Sequence, residues 1–134
     1  QAAAVRRRRS PPPSPWPAGD VNAEVAGDRQ LLARAKDRMH ADYASDLKLE
    51  DLAAEVGLTT FQLIGLFKRT VGLTPHAYLT QVRLNMACRR LRHAPALADV
   101  ATGVGFYDQS ALNKHFKRCY GITPTQFARA AAAA

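Results

Sequence analysis

The sequence predicts an all-α chain of about seven helices, arranged as two similar subdomains joined by one long linker helix. Three observations carry that expectation: an internal repeat, apolar residues at helical spacing, and Thr, Pro and Gly at the implied helix ends. The repeat centres on Asp108 to Gly121, DQSALNKHFKRCYG. At an offset of 49, Leu63, Phe67, Lys68, Arg69, Gly72, Thr74 and Pro75 recur as Leu112, Phe116, Lys117, Arg118, Gly121, Thr123 and Pro124. Seven identities in the sixteen positions from Thr60 to Pro75 exceed what chance supplies. Further upstream the offset is 48, and Asp51, Ala53, Val56 and Gly57 match Asp99, Ala101, Val104 and Gly105. Each copy reads as a short helix, a Gly-containing turn and a longer amphipathic helix ending at Gly, which is the pattern of a helix-turn-helix.

Taken in order, residues 1–20 form an Arg/Pro-rich arm with Trp16 as its one large aromatic. Proline at this density opposes helix and sheet, so the arm reads as a disordered linker or tether. The domain proper is expected over residues 21–134. Its first helix runs from Asp28 to about Tyr43, with Leu31, Leu32, Ala35, Met39 and Tyr43 on one stripe. His40 beside that stripe reads as a surface or packing residue. Leu49 to Val56 is the short helix of the first repeat, and Thr59 caps the helix from about Thr60 to Val71, which Gly72 ends. These elements form the first subdomain, about residues 28–73. Thr74-Pro75 then starts the linker helix, about residues 75–92, since Pro is accepted at the first helical position. At 1.5 Å per residue its roughly eighteen residues span about 27 Å. The second subdomain, about residues 96–131, follows the loop His93-Ala94-Pro95. It comprises a short helix over Ala96 to Gly103, a turn at Gly105-Phe106, a helix capped by Asp108 and a last helix from Thr123-Pro124.

Composition narrows the class of function. A chain of 134 residues has room for one ordinary domain, and 47% apolar residues suffice for a core. Cys88 and Cys119 are too few for a disulfide framework and lack metal-ligand spacing, which fits a reducing cytoplasm. His115 and Cys119 sit one turn apart without a second ligand pair, so no metal or cofactor is expected. No apolar run approaches the ~20 residues of a membrane span. The four His and the acids show no convergent catalytic pattern, which argues against an enzyme. The chain starts at Gln1 rather than Met and is read as a piece of a longer protein.

The net charge of +8 is unevenly distributed. Residues 21–59 carry five bases and eight acids, whereas residues 60–134 carry ten bases against Asp99 and Asp108. A basic field over the repeated helices favours a polyanion, and double-stranded DNA is the partner that suits a pair of helix-turn-helix units. In such a unit the N-terminal residues of the second helix reach base edges in the major groove. In the second repeat these are Gln109, Ser110, Asn113 and Lys114: Gln and Asn can pair with adenine, and Lys with guanine. In the first repeat Phe61 and Ile64 are the candidates, touching thymine methyls. Thr60, Gln62, Lys68, Arg69, Lys117, Arg118 and Arg83 are the candidates for phosphate. Arg89, Arg90 and Arg92 on the linker helix face either phosphate or solvent.

Residues from about Leu49 to Phe127 resemble the DNA-binding domain of AraC/XylS-type bacterial transcription regulators. The carrying stretches are LEDLAAEVGL, FQLIGLFKRTVGLTPHAYL and, above all, DVATGVGFYDQSALNKHFKRCYGITPTQF. The resemblance implies two helix-turn-helix subdomains on a linker helix, sequence-specific promoter binding, and transcription activation through RNA polymerase. It also implies an N-terminal effector-binding or dimerisation domain in the parent chain, to which the Arg/Pro-rich arm would lead. One departure stands out. Ile64 and Gly65 occupy positions where the family usually offers polar or basic side chains, and neither can read a base edge by a side-chain hydrogen bond. Specificity is therefore expected to lean on the second unit. The competing reading is a protein-interaction module in which base reading by the first unit has decayed.

Overall fold

The computed structural model describes residues 18–93 and 96–133, with side chains from residue 26 onward. Arg6 to Arg9, Trp16 and the Ala94-Pro95 part of the inter-subdomain loop lie outside them. The described residues form seven helices and no strand. They are α1 (Ala18–Asp42), α2 (Leu49–Glu55), α3 (Thr60–Thr70), α4 (Pro75–Leu91), α5 (Leu97–Gly103), α6 (Gln109–Tyr120) and α7 (Pro124–Ala133). The first helix starts at Ala18 rather than near Asp28, so residues 18–20 of the expected tether are helical. Pro17 is the last proline of the arm, and nothing after it blocks helical backbone. The apolar stripe that signals the helix in sequence begins only at Leu31.

The starts of α3, α4 and α6 are fixed by side-chain caps. Thr59 accepts from the Gln62 N–H at 3.1 Å while Gln62 Oε1 accepts from the Thr59 N–H at 2.9 Å, a reciprocal capping box on α3. Thr74 accepts from the Ala77 N–H at 3.1 Å, with Pro75 as the first residue of α4. The Asp108 carboxylate accepts from the Ala111 N–H at 2.9 Å and puts its charge at the positive end of the α6 dipole. At the other end of α6, Gly121 takes φ 80° and donates its N–H to the Lys117 carbonyl at 2.8 Å. A side chain would oppose that left-handed turn.

The repeat in sequence becomes a repeat in the core. Leu52, Ala53, Val56, Leu63 and Phe67 are buried in the first cluster, and their counterparts Val100, Ala101, Val104, Leu112 and Phe116 are buried in the second. The first cluster is closed by Ala35 and Met39 of α1, and the second by Leu84, Ala87 and Leu91 of α4. The linker helix therefore serves the second unit as α1 serves the first. It also sends Leu79 into the first cluster, so one rigid rod contributes to both cores. Each Leu, Val, Phe or Met among them is worth roughly 1.5–3 kcal/mol when fully removed from water. No polar or charged residue is buried among the described residues, which leaves the basic side chains at the surface. No helix among those residues is long and apolar enough to cross a membrane.

Candidate nucleic-acid interface

The surface of interest is the outward side of α6, with its repeat-related counterpart on α3. On α6, Leu112 and Phe116 are buried while Gln109, Ser110, Lys114, Lys117 and Arg118 are exposed and Asn113 is half-exposed. The inward and flanking positions are taken up by packing. His115 stacks on Phe106 with ring centroids 5.6 Å apart, and Tyr120 packs its ring on Phe116 at 4.7 Å while its hydroxyl donates to Asn85 on α4 at 3.1 Å. Cys119 meets Gln81 of the linker helix at 3.5 Å. Burial, and then the Arg118 and Lys114 cations, push the His115 imidazole below its ordinary pKa, so it is a neutral packing group at pH 7. Among the described residues no three His, Cys, Asp or Glu gather as a metal site.

The corresponding surface of α3 has a different chemistry. Offset by 49, Gln109, Ser110, Asn113 and Lys114 align with Thr60, Phe61, Ile64 and Gly65. Phe61 is 83% exposed, an aromatic ring with no place in the core, and Ile64 is half-buried. Gln62 is exposed, but its amide oxygen is spent on the capping box, which leaves only its NH₂ to donate elsewhere. Gly65 lies beside the Arg69 side chain. A Cβ there would lie 3.3 Å from the Arg69 guanidinium, which folds back towards α1 and pairs with Asp28 at 3.1 Å.

Two of the basic residues expected at phosphate have partners within the protein. Arg69 is engaged with Asp28, although both are on the surface and such a pair is worth only ~0–1 kcal/mol, little hindrance to a competing phosphate. Arg83 is committed more deeply. Its Nε donates to the Tyr43 carbonyl at 2.7 Å and its Nη2 to the Ser45 carbonyl at 2.9 Å, and burial lowers its pKa. That guanidinium joins the linker helix to the α1–α2 loop. Three of the basic residues of α1 are likewise used within the protein. Arg34 donates to the Glu55 carbonyl at 3.1 Å, Arg38 pairs with Glu55 and Asp42, and Lys36 lies over the Tyr78 ring. His40, on the same helix, meets the Tyr78 hydroxyl at 2.8 Å.

Tyr107 was not among the residues singled out from the sequence. It stands 91% exposed directly before the Asp108 cap, at the same end of α6 as Gln109 and Ser110. The available signal was an aromatic residue in a turn, next to one that is needed in the core (Phe106).

A family model described as a helix-turn-helix domain matches residues 52–130, more than half of the chain. The chain belongs to the AraC family. It is 38% identical over 98 residues to an AraC-like transcription regulator of Streptomyces lividans, covering 72% of this chain and 32% of that one. It is 30% identical over 97 residues to the lactose operon transcription activator of Staphylococcus xylosus, covering 72% and 35% respectively. The chain thus spans about a third of the length of these curated relatives. Among solved structures, an AraC-type regulator from Chromobacterium violaceum superposes with a TM-score of 0.73 at 28% identity, covering 80% of this chain and 96% of the other. The DNA-binding domain of AdpA, solved with a target DNA, gives a TM-score of 0.67 at 26% identity over 80% and 94%. These AraC-type relatives are transcription regulators, and the chain is a domain of that kind rather than an enzyme.

Proposed function

We propose that this domain binds double-stranded promoter DNA with α6 and α3 in successive major grooves on one face of the duplex. The observation that supports it best is the start of α6. A helix held by a charged cap presents Ser110 and Lys114 on the side opposite Leu112 and Phe116, with Asn113 half-exposed on the flank and Gln109 exposed at the helix start. In this reading those four contact base edges, Asn and Gln pairing with adenine and Lys with guanine. Phe61 and Ile64 of α3 touch thymine methyls and add little discrimination. Lys117, Arg118, Lys68, Thr60, the Gln62 NH₂ and, once released from Asp28, Arg69 neutralise or hydrogen-bond phosphates. AdpA's domain in complex with its target DNA is a precedent within the same fold.

The linker helix is the spacer. Its 17 residues span about 25 Å at 1.5 Å each, which suits two heads serving grooves one turn, about 34 Å, apart. Activation is the regulatory sense we assign, by analogy with the lactose operon activator, with RNA polymerase as the partner it engages. An effector-binding or dimerisation domain elsewhere in the parent protein would control it.

The test is selection of bound sequences from random duplex, followed by anisotropy titrations of the winner across salt. This reading predicts an enriched motif and a linear fall of log K with log salt, from which the number of phosphate contacts follows. A decayed module would enrich nothing and bind duplex barely at all.

A further inference from the structure

The surroundings of Arg83 assign it a task beyond ordinary packing. It sits on α4 and donates both of its hydrogen bonds to carbonyls of the α1–α2 loop, Tyr43 at 2.7 Å and Ser45 at 2.9 Å. The turn of the second subdomain comes up against the same hydrogen bond. Gly105, in the α5–α6 turn at φ 103°, comes so close that a Cβ there would lie 2.6 Å from Arg83 Nε and 2.5 Å from the Tyr43 carbonyl oxygen. The Tyr43 side chain packs against both hydrophobic clusters. A loop of the first unit, the linker helix and the turn that aims α6 therefore meet at one guanidinium.

We propose that Arg83 is a positioning residue that fixes the angle between the two reading helices, and so sets which arrangement of DNA grooves one molecule can engage at once. Helix α4 packs into both cores through Leu79 on one side and Leu84, Ala87 and Leu91 on the other, and a polar bridge between the units sharpens the angle that this packing sets. The Arg83 fork, clamped between the Tyr43 and Ser45 carbonyls and the Gly105 backbone, is such a bridge. Arg suits the place because its planar fork offers separate donors to the two carbonyls in a pre-set geometry, which a Lys ammonium does not reproduce. Gly105 suits it because no other residue accepts both that φ and that approach.

This inference rests on the two-headed DNA reading, but one arm of its test does not. In the free protein, residual dipolar couplings of the first and second units fit one alignment tensor for the unmodified chain. For Arg83→Met, which keeps the aliphatic stem and removes the donors, they require two. If one tensor still fits the variant, the joint is not Arg83 and the proposal is overturned.

The second arm uses two duplexes drawn from the selection: one long enough for both heads, and one carrying only the block read by α6. Arg83→Met weakens binding to the long duplex by about tenfold or more and leaves the short duplex within about twofold, since a mis-set α3 head forfeits its phosphate and thymine-methyl contacts together. An equal loss on both, with the salt slope reduced by about one, would make Arg83 a phosphate contact and refute the positioning role. Should Arg83→Met not fold, Arg83→Lys keeps the charge without the fork, and the same two outcomes are read from it. Failure of the unmodified chain to prefer any sequence would sink the DNA reading while leaving the dipolar-coupling result to decide the joint.

Discussion

Replacing Asn113 by Ala separates base reading from every other role of α6. Asn113 is half-exposed on a helix in which no polar residue is buried, so its amide is not needed to satisfy the interior. A surface change of this kind alters stability by no more than about 0.5 kcal/mol, and Ala is the better helix former, so the melting temperature holds or rises slightly. Binding should respond quite differently. A lost bidentate pair to a base costs ~1–3 kcal/mol, or roughly 5- to 150-fold. Affinity for unrelated duplex comes from phosphate contacts and is unchanged, as is the salt slope. The assay is anisotropy titration of the selected duplex and a scrambled one at several salt concentrations. The ratio of the two affinities should fall by the full factor while the slope stays constant. Equal weakening on both duplexes, or no effect on either, would refute the placement of Asn113 at a base.

Three further expectations concern the scaffold. Thr59→Ala and Asp108→Ala each remove a side-chain cap and should cost ~1 kcal/mol, seen as a drop of about 4–8 °C in a thermal melt followed by circular dichroism. Leu63→Ala and Leu112→Ala, at equivalent and fully buried positions, should each destabilise by about 2–5 kcal/mol in urea titrations, and similar losses at the two would express the duplicated core. Acidification should weaken the fold through His115. Its pKa is lowered in the native state, so the unfolded chain takes the proton first and stability falls as pH drops below ~6.5, the ordinary histidine value. His115→Phe should flatten that pH dependence in thermal melts at pH 5–7, and an unchanged profile would exclude His115 as its source.

The helical plan was largely legible because its determinants are local. Matching positions such as Leu63 and Leu112, or Phe67 and Phe116, signalled a duplicated core, and the structure buries each of them in its own cluster. Thr59, Thr74 and Asp108 cap where short-range hydrogen bonding predicts. Two departures arise from contacts between residues far apart in sequence. Arg83 reaches Tyr43 across 40 positions and Arg69 reaches Asp28 across 41, and no periodicity within one helix marks such pairs. A basic side chain late in a reading helix or on a linker carries the same local signal whether it pairs within the protein or with phosphate. Tyr107 escaped notice for the opposite reason. Beside the core residue Phe106 it reads as a second packing aromatic, and only the fold turns it outward.

The most direct measurement is interference footprinting of the complex, with methylation of guanine N7 and ethylation of phosphates on the selected duplex. Two heads on one stiff spacer predict two clusters of major-groove and phosphate interference on the same face, with centres about 10–10.5 base pairs apart, and the stronger base effects under α6. A single cluster, or two on opposite faces of the duplex, would contradict it.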